Sequence, residues 1–191
     1  MQQLESYVLG AWKTGSGQPA VLVNPATEQP LAEASTGGID FAAVLAHARD
    51  VGGPGLRALS FGERAARLKA LSGAIHAARE ELIALSVANA GTTRSDAKFD
   101  IDGATGTLAA YAAFGRGLGE RKVLADGEGV QLGRTARFWC QHVLVPRHGA
   151  AVHVNAFNFP AWNMMEKAAC ALLAGMPVIE KPGTPTALVA W

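Results

Sequence analysis

Residues 153–167 read His-Val-Asn-Ala-Phe-Asn-Phe-Pro-Ala-Trp-Asn-Met-Met-Glu-Lys and decide the fold. The apolar stretch 150–154 predicts a strand, and Pro160 is predicted to open an Ala/Leu-rich helix because proline is pre-shaped for the first helical position. A second apolar strand, 176–180, follows and ends at Lys181. The order strand, turn, helix, strand predicts a parallel βαβ unit and an α/β fold, in which ligands collect at the carboxyl ends of the strands.

Two polar side chains stand at these predicted strand ends. Asn158 follows the first strand and Lys181 ends the second, so parallel pairing would bring an amide donor and a cation to one edge of the sheet. Taken by itself, Asn158 favours a helix cap before Pro160, a common position for asparagine. Lys181 by itself favours a solvated strand end.

The motifs Asn-Ala-Phe-Asn-Phe-Pro at 155–160 and Val-Ile-Glu-Lys-Pro at 178–182, with Lys167 between them, resemble the aldehyde dehydrogenase superfamily. The wording around the first motif is similar to the aldehyde dehydrogenase domains of phenylacetic acid degradation bifunctional proteins. It is also similar to the semialdehyde dehydrogenases of benzoyl-CoA breakdown. The resemblance covers the whole chain, and further matching segments are 7–12, 23–27 and 95–103.

The resemblance implies the N-terminal part of an aldehyde dehydrogenase fold, which is an incomplete Rossmann-like parallel sheet with helices and a β-ribbon. Residues 1–121 would supply N-terminal strands and helices of the cofactor-binding domain. Residues 122–148 would form an oligomerisation arm, and residues 149–191 the first βαβ of the Rossmann-like unit. The family's nucleophilic cysteine and glutamate base would lie beyond Trp191, so the chain alone is expected to be inactive.

The segment 122–148 also has a β-prone pattern of its own. Residues 137–147 form a β-prone run broken only at Pro146, and residues 122–132 predict a preceding strand with a turn at Asp126-Gly127. Because a two-stranded ribbon exposes edges that are normally paired or covered, a partner is expected for it. The residues alone favour a local hairpin on its own domain, whereas the resemblance implies an arm that pairs subunits of a homo-oligomer.

The resemblance assigns two catalytic positions. Asn158 falls on the family's oxyanion asparagine, whose amide would stabilise the negative charge that develops on the carbonyl oxygen. Lys167 falls on a family lysine close to the active site. By sequence alone, Lys167 favours a surface lysine that snorkels along the helix.

Cofactor contacts are assigned by resemblance to Asn155, Phe157, Lys181 and Thr184. Lys181 would bind the adenosine ribose, and Phe157 would lie beside the nicotinamide, although a buried aromatic is the alternative for it. Thr184 stands where many NAD-preferring members carry a glutamate, which would repel a 2′-phosphate. NADP is therefore favoured, and NAD stays possible because Glu180 is nearby in sequence.

Composition excludes several classes of function. The chain has 17 basic and 16 acidic residues, a net charge of +1 that argues against nucleic acids and anionic membranes as partners. The longest apolar run is far short of a membrane span, and Met1-Gln-Gln-Leu-Glu5 lacks the basic region and apolar core of a signal peptide. Two cysteines without a metal or redox spacing make a reduced, cytoplasmic setting the expectation. Cys140 and Cys170 are predicted to be inert buried thiols, His153 a core residue, and no spacing indicates a metal site.

The rest of the chain predicts short antiparallel strands over 7–35, followed by helices. Asp40 is expected to cap a helix over 41–50 that breaks at 51–55. Ser60 and Glu63 form a capping box. Other expected elements are an apolar face with Leu68, Leu71 and Ile75, a helix over 78–89 ending at Gly91, a helix capped by Asp102 running through Tyr111, and a helical turn over 186–191.

The resulting hypothesis is an NAD(P)-dependent aldehyde dehydrogenase that oxidises a small-molecule aldehyde, namely a CoA-linked semialdehyde from aromatic-acid catabolism. Two alternatives stay open. One is a general NAD-linked aldehyde dehydrogenase with a simple aliphatic substrate. The other is a non-catalytic assembly module built on the same fold.

Overall fold

The computed structural model describes residues 1–191 as eight strands and seven α-helices, with one π-helical and one 3-10 turn. The strands are β1 Gln2–Val8, β2 Ala11–Thr14, β3 Ala20–Val23, β4 Pro30–Ala34, β5 Leu124–Gln131, β6 Trp139–Leu144, β7 Ala151–Val154 and β8 Val178–Lys181. The helices are α1 Phe41–His47, α2 Gly53–Ala58, α3 Phe61–Ala77, α4 Arg79–Ala90, α5 Arg94–Leu118, α6 Pro160–Leu173 and α7 Ala187–Ala190. No helix combines the length and apolar character needed to cross a membrane.

The N-terminal strands form one sheet in the order β2-β1-β4-β3. The prediction of antiparallel pairing holds for β1 with β2 and for β3 with β4, but it is wrong for β1 with β4, which run parallel. The parallel pair forms because Leu4 and Ala32 are both buried, in a small core that also includes Leu188 of α7. The sheet therefore packs against the end of the βαβ unit.

The helical segment after Asp40 continues where a break was predicted. Asp40 caps α1 as expected, accepting a hydrogen bond from the Ala43 N–H. The glycines at 52 and 53 keep right-handed helical dihedrals, and the chain passes through the π-helical turn Ala48–Gly52 directly into α2. The proline in this segment is tolerated because it lies in the first turn of α2, where no backbone donor is needed.

Helix α5 begins eight residues before the predicted cap. Thr93 is its N-cap, accepting from the Asp96 N–H, and the helix then runs for 25 residues from Arg94. Asp102 therefore lies inside the helix, and the prediction that it caps is wrong. Its carboxylate instead binds Arg79 Nε at 2.6 Å, which tethers α5 to the start of α4. The predicted capping box of α3 and the predicted end of α4 at Gly91 are confirmed.

The main core lies between α3, α4, α5 and α6. Ile83, Ile101, Leu108 and Ala169 are completely buried there, and Leu71 and Ile75 pack against the cluster beside buried Leu68. The helices approach closely at Gly115, where an added Cβ would lie 2.4 Å from Leu173 Cδ1. Helix α6 therefore packs directly against α5.

The last two sheets have two strands each. The β5–β6 ribbon is antiparallel, and Asp126-Gly127 lies within β5 at a shift of register, so the turn predicted there is wrong. Gly127 has φ of +73°, which accounts for a glycine at the irregularity. The predicted βαβ unit is confirmed: β7 and β8 are parallel and α6 connects them.

A candidate active site at the carboxyl ends of two parallel strands

The carboxyl ends of β7 and β8 lie side by side. Val154 is paired in register with Lys181, and the turn 155–159 leaves the sheet at this edge before α6 begins at Pro160. The prediction that Asn158 and Lys181 reach the same edge is therefore confirmed at the level of the backbone.

The first residue of the turn, Asn155, is held on three sides. Its N–H donates to the Lys181 carbonyl at 2.9 Å. Its side-chain Nδ2 donates to Glu180 Oε2 at 2.8 Å, and its Oδ1 accepts from Lys167 Nζ at 2.7 Å. The residue is only 5% exposed. The predicted cofactor contact of Asn155 remains a prediction, and its side-chain amide is occupied within the protein.

The middle of the turn is fixed by the segment after β8. Thr186 Oγ1 donates to the Phe157 carbonyl at 2.7 Å. Gly183 approaches so closely that an added Cβ would lie 2.7 Å from Phe157 Cα. Phe157 itself is 61% exposed within residues 1–191, so the alternative in which it is a buried aromatic is wrong for this part of the protein.

The end of the turn is held by Asp100 of α5. Its two carboxylate oxygens accept hydrogen bonds from Ala161 N at 3.1 Å and Trp162 N at 2.8 Å, at the N-terminus of α6. Burial raises the pKa of the Asp100 carboxyl, and the two backbone donors oppose that shift. The N-cap position is Phe159 and has no side-chain cap, so the alternative in which Asn158 caps the helix is wrong. Asp100 caps α6 from another helix.

Asn158 is left exposed on a turn that is held at its start, middle and end. An exposed amide on a backbone with fixed neighbours can donate to a ligand without first breaking an internal hydrogen bond. Preorganised donors of this kind stabilise developing negative charge most effectively, because no reorganisation is needed at the moment of reaction.

Lys167 of α6 is half-buried, and the snorkelling alternative is wrong. Its Nζ donates to Asn155 Oδ1 and to the Asn163 carbonyl at 2.8 Å, one helical turn earlier. Both acceptors are neutral, so no carboxylate is paired with Lys167 Nζ, and the side chain lines an open cavity of about 540 Å³. The other residues of this cavity are Thr107, Tyr111, His153, Glu166, Cys170 and Ala171.

The predictions of burial are wrong for His153 and Cys170, which line this cavity, and for Cys140 in β6. His153 Nδ1 lies 2.6 Å from Glu180 Oε1, so its half-buried ring has a polar partner where apolar core packing was expected. Cys170 is exposed and Cys140 is partly exposed, because their helix and strand faces are not covered by other elements of the chain. A hydrogen bond with Cys170 raises the pKa of Tyr111.

At the end of β8, Lys181 and Thr184 form a contact. Lys181 Nζ donates to Thr184 Oγ1 at 3.2 Å, and Thr184 opens the 3-10 turn Thr184–Thr186. Glu180 lies beside this pair, but its two oxygens are bound by His153 and Asn155. The edge therefore presents an ammonium and a hydroxyl, while the neighbouring carboxylate is engaged internally.

An aromatic cluster next to Asn158 was not predicted from the sequence. Phe99, Phe159 and Trp162 pack edge to face, with centroids 5.2 Å apart for Phe99–Trp162 and 6.2 Å for Phe159–Trp162. Gly103 makes room for the indole, since an added Cβ would lie 2.4 Å from Trp162 Cδ2. The similarity of segment 95–103 was the signal that could have located Phe99, Asp100 and Gly103 at the site. The structure contains no group of three or more His, Cys, Asp or Glu side chains placed to hold a metal ion.

Comparisons with known proteins identify the family of the chain. The profile of the Aldehyde dehydrogenase family matches residues 12–191. The chain is 48% identical over 188 residues to 3,4-dehydroadipyl-CoA semialdehyde dehydrogenase of Aromatoleum evansii, covering 98% of this chain and 36% of the relative. It is 28% identical over 190 residues to 3,6-anhydro-alpha-L-galactose dehydrogenase of Vibrio sp. (strain EJY3), covering 98% of this chain and 38% of the relative.

A solved structure shows the same fold. The structure of 3,6-anhydro-L-galactose dehydrogenase in complex with NAP superposes with a TM-score of 0.85 at 24% identity, covering 99% of this chain and 38% of that chain. The chain thus spans between a third and two fifths of the length of these relatives.

Proposed function

The chain belongs to the aldehyde dehydrogenase family, and from this premise we propose that it is the N-terminal portion of an NAD(P)-dependent enzyme that oxidises an aldehyde to the acid. The observation that carries the proposal is Asn158, an exposed amide on a turn held by Asn155, Thr186 and Asp100. The thiolate nucleophile and the general base are expected in the part of the relatives that residues 1–191 do not span.

In this proposal Asn158 stabilises the charge that develops on the aldehyde oxygen when a thiolate attacks the carbonyl carbon. Its Nδ2 donates a hydrogen bond to that oxygen, which carries a full negative charge only after attack. The contact is therefore stronger in the transition state than in the ground state, which is the condition for raising kcat. Lys167 adds a positive charge beside the start of the turn, where its Nζ is held by Asn155 and Asn163.

The residues at the end of β8 fit the adenosine part of a dinucleotide. Lys181 Nζ and Thr184 Oγ1 offer donors at the carboxyl end of a parallel strand, where such ligands bind. When bound, the nicotinamide would accept the hydride released from the substrate carbon. Phe157 is exposed at the same edge and offers an apolar surface to the ring.

The cofactor preference proposed here is NADP. A free carboxylate near the ribose would repel a 2′-phosphate, and Thr184 has none. Glu180 was the residue that kept NAD possible, but both of its oxygens bind other side chains. An ammonium next to a hydroxyl supports recognition of a phosphate.

The substrate class proposed is a CoA-linked semialdehyde formed in the breakdown of aromatic acids. The support is the 48% identity to a relative named for a CoA semialdehyde. The aromatic cluster of Phe99, Phe159 and Trp162 lies next to Asn158 and would contact the apolar part of the aldehyde.

Association through residues 122–148 is also proposed, because the β5–β6 ribbon exposes apolar side chains. Val130, Trp139 and Val143 are each more than half exposed. A homo-oligomer would cover them. We also propose a reducing, cytoplasmic compartment, with which two unpaired cysteines are consistent.

The test uses the full-length protein with a CoA-linked semialdehyde and with a short aliphatic aldehyde, each in the presence of NADP or NAD. The expected result is oxidation with the largest kcat/KM for the CoA-linked substrate and NADP. A larger kcat/KM for the aliphatic aldehyde with NAD would favour the general aldehyde dehydrogenase. No turnover of any aldehyde, together with intact assembly, would favour the non-catalytic module.

A further inference from the structure

Four polar side chains form a continuous chain of hydrogen bonds beneath the turn that carries Asn158. His153 Nδ1 lies 2.6 Å from Glu180 Oε1, Glu180 Oε2 accepts from Asn155 Nδ2 at 2.8 Å, and Asn155 Oδ1 accepts from Lys167 Nζ at 2.7 Å. The chain links β7, β8, the turn and α6. It thus connects both strands of the sheet to the start of the turn and to α6.

Asn155 is the central member, and its amide can take only one orientation. Nδ2 faces a carboxylate oxygen and Oδ1 faces an ammonium, so a flipped amide would set acceptor against acceptor and donor against donor. Both bonds are charge-assisted, and the residue is 5% exposed. The side chain is therefore a stiff connection between a fixed anion and a fixed cation.

The contacts of Asn155 control the start of the turn. Without its side chain, the beginning of the turn keeps only the backbone bond from Asn155 N to the Lys181 carbonyl. The middle and end would still be held by Thr186 and Asp100. Thr186 holds only one carbonyl of the turn, that of Phe157, so a displacement of Asn155 is expected to shift the adjoining residues as far as Asn158.

We propose that Asn155 is a positioning residue, which fixes the Asn158 amide for the reacting oxygen by joining Glu180 to Lys167. The inference rests on the proposed function of Asn158. It assigns the buried Glu180–Asn155–Lys167 contact to the reaction, although none of Glu180, Asn155 or His153 touches the reacting atoms in this account.

The first test is Asn155→Leu in the full-length protein, which keeps the size of the side chain and removes both hydrogen bonds. Loss of alignment is expected to lower kcat about tenfold, because a displacement well below 1 Å already weakens a catalytic contact. KM for the cofactor should stay within about twofold. Ser72→Ala is the control: it removes a buried hydrogen bond to the Thr105 carbonyl, away from the turn, and should leave kcat unchanged.

A double-mutant cycle then asks whether Asn155 acts through Asn158. If it does, Asn155→Leu should lower kcat about tenfold in the wild-type background and less than about twofold in the Asn158→Ala background. Equal effects in the two backgrounds would overturn the inference while leaving the oxyanion role intact. If Asn158→Ala itself leaves kcat unchanged, the proposed function fails first and the inference fails with it.

An exchange of charge between positions 155 and 180 keeps the test decisive should Asn155→Leu fold poorly. Asn155→Asp alone sets two carboxylates against each other and should lower kcat. In the double variant Asn155→Asp with Glu180→Gln, the new carboxylate can bind Lys167 and accept from the new amide, whose oxygen can accept from His153. The double variant should recover kcat to within about threefold of wild type. A double variant that unfolds normally but stays as slow as Asn155→Asp would contradict the proposal.

Discussion

The turn at 155–159 and the β5–β6 ribbon are stabilised in different ways. The turn is bound by side chains from α5, α6, β8 and the segment after β8. The side-chain bonds of the ribbon strands stay inside the ribbon, such as Gln141 Nε2 to the Gly127 carbonyl at 3.0 Å. Apolar side chains along the ribbon, including Val143 at 55%, are exposed.

The conformation of the turn is thus determined by contacts within the chain, whereas the apolar surface of the ribbon would be covered only by a partner. The geometry around Asn158 is set by residues within 1–191, through buried polar partners. The backbone of the ribbon is held by the hydrogen bonds between β5 and β6, but its apolar side chains stay exposed. Exposed strand edges with such apolar surface are normally paired or covered. Substitutions that disturb the contacts holding the turn should therefore alter stability and rate, whereas substitutions in the ribbon should alter association.

The largest expected effect on stability comes from filling the space between the turn and the segment after β8. In Gly183→Ala the new Cβ would lie 2.7 Å from Phe157 Cα and 2.8 Å from Phe157 N, both backbone atoms. Because the backbone must shift, the free energy of unfolding should fall by about 2–3 kcal/mol and kcat should fall with it. The measurement is urea unfolding of the full-length protein, together with kcat.

Gly117→Ala is the matched control for that experiment. Gly117 lies in α5 and an added Cβ meets nothing within 4 Å, so the change should stabilise the protein by about 0.5–1 kcal/mol. If Gly183→Ala were as stable as Gly117→Ala, the turn would not be as tightly held as described.

In the ribbon, Val143→Lys should weaken self-association while leaving the chain's own stability unchanged. Burying an ammonium against a partner should raise the dissociation constant by at least about tenfold. The free energy of unfolding should change by no more than about 0.5 kcal/mol, because Val143 is exposed. Sedimentation equilibrium measures the association.

Val21→Lys provides the comparison, since Val21 is 50% exposed on β3, outside the ribbon. It should leave the dissociation constant unchanged. Equal weakening by both substitutions, or by neither, would mean that the ribbon is not the surface of association.

The sequence predicted the βαβ unit, the capping box and the location of Asn158 at the same sheet edge as Lys181, because these depend on local patterns and on a motif. It missed the role of Asp100, which lies 60 residues before the helix that it caps, so no local pattern reports the contact. It misplaced the start of α5 because Asp102 has the residue type of a cap. Inside the helix its carboxylate is bound by Arg79 of α4 and by Lys98 one turn earlier in α5.

Predictions of burial failed for a related reason. Cys170 has apolar neighbours in sequence, but its side of α6 faces the open cavity. Glu180 could be placed beside the ribose from sequence alone, and only the structure shows its oxygens bound by His153 and Asn155. A local sequence pattern does not show which side chains that are distant in sequence form hydrogen bonds with one another.

Thr184→Glu sharpens the account of the strand-end site. The new carboxylate would face a 2′-phosphate of NADP but could accept hydrogen bonds from the free hydroxyls of NAD. After screening by solvent, the repulsion should amount to about 1–2 kcal/mol, or roughly tenfold in kcat/KM for NADP. An unchanged ratio of kcat/KM values for the two cofactors, or a wild type that already prefers NAD, would contradict the NADP proposal.

The smallest expected effect is on the pH dependence of stability. It concerns two aspartates of α5 whose pKa values shift in opposite directions. Binding of Arg79 lowers the pKa of Asp102 to about 2, whereas burial raises the pKa of Asp100. The folded state therefore favours ionised Asp102, and its contribution is present above the ordinary aspartate value near pH 3.8 and is lost as pH falls toward 2. Asp100 acts in the opposite sense, because stability falls as pH rises through its raised pKa.

Asp102→Asn should reveal this contribution in acid unfolding. Because Asp102 is 39% exposed, screening should reduce the stability difference from wild type to about 1 kcal/mol or less at neutral pH. The difference should shrink as pH falls below about 4. A difference that grows on acidification would reverse the assigned sign.

The central claim is that the held turn presents Asn158 to the reacting oxygen. The direct test compares kcat and the urea midpoint of Asn158→Ala with those of the wild-type full-length protein, using the CoA-linked semialdehyde. The account predicts a fall in kcat of about 10²–10³ with an unchanged midpoint, because the side chain is exposed and caps nothing. A wild-type kcat with a lowered midpoint would contradict it, since Asn158 would then serve the fold and not the chemistry.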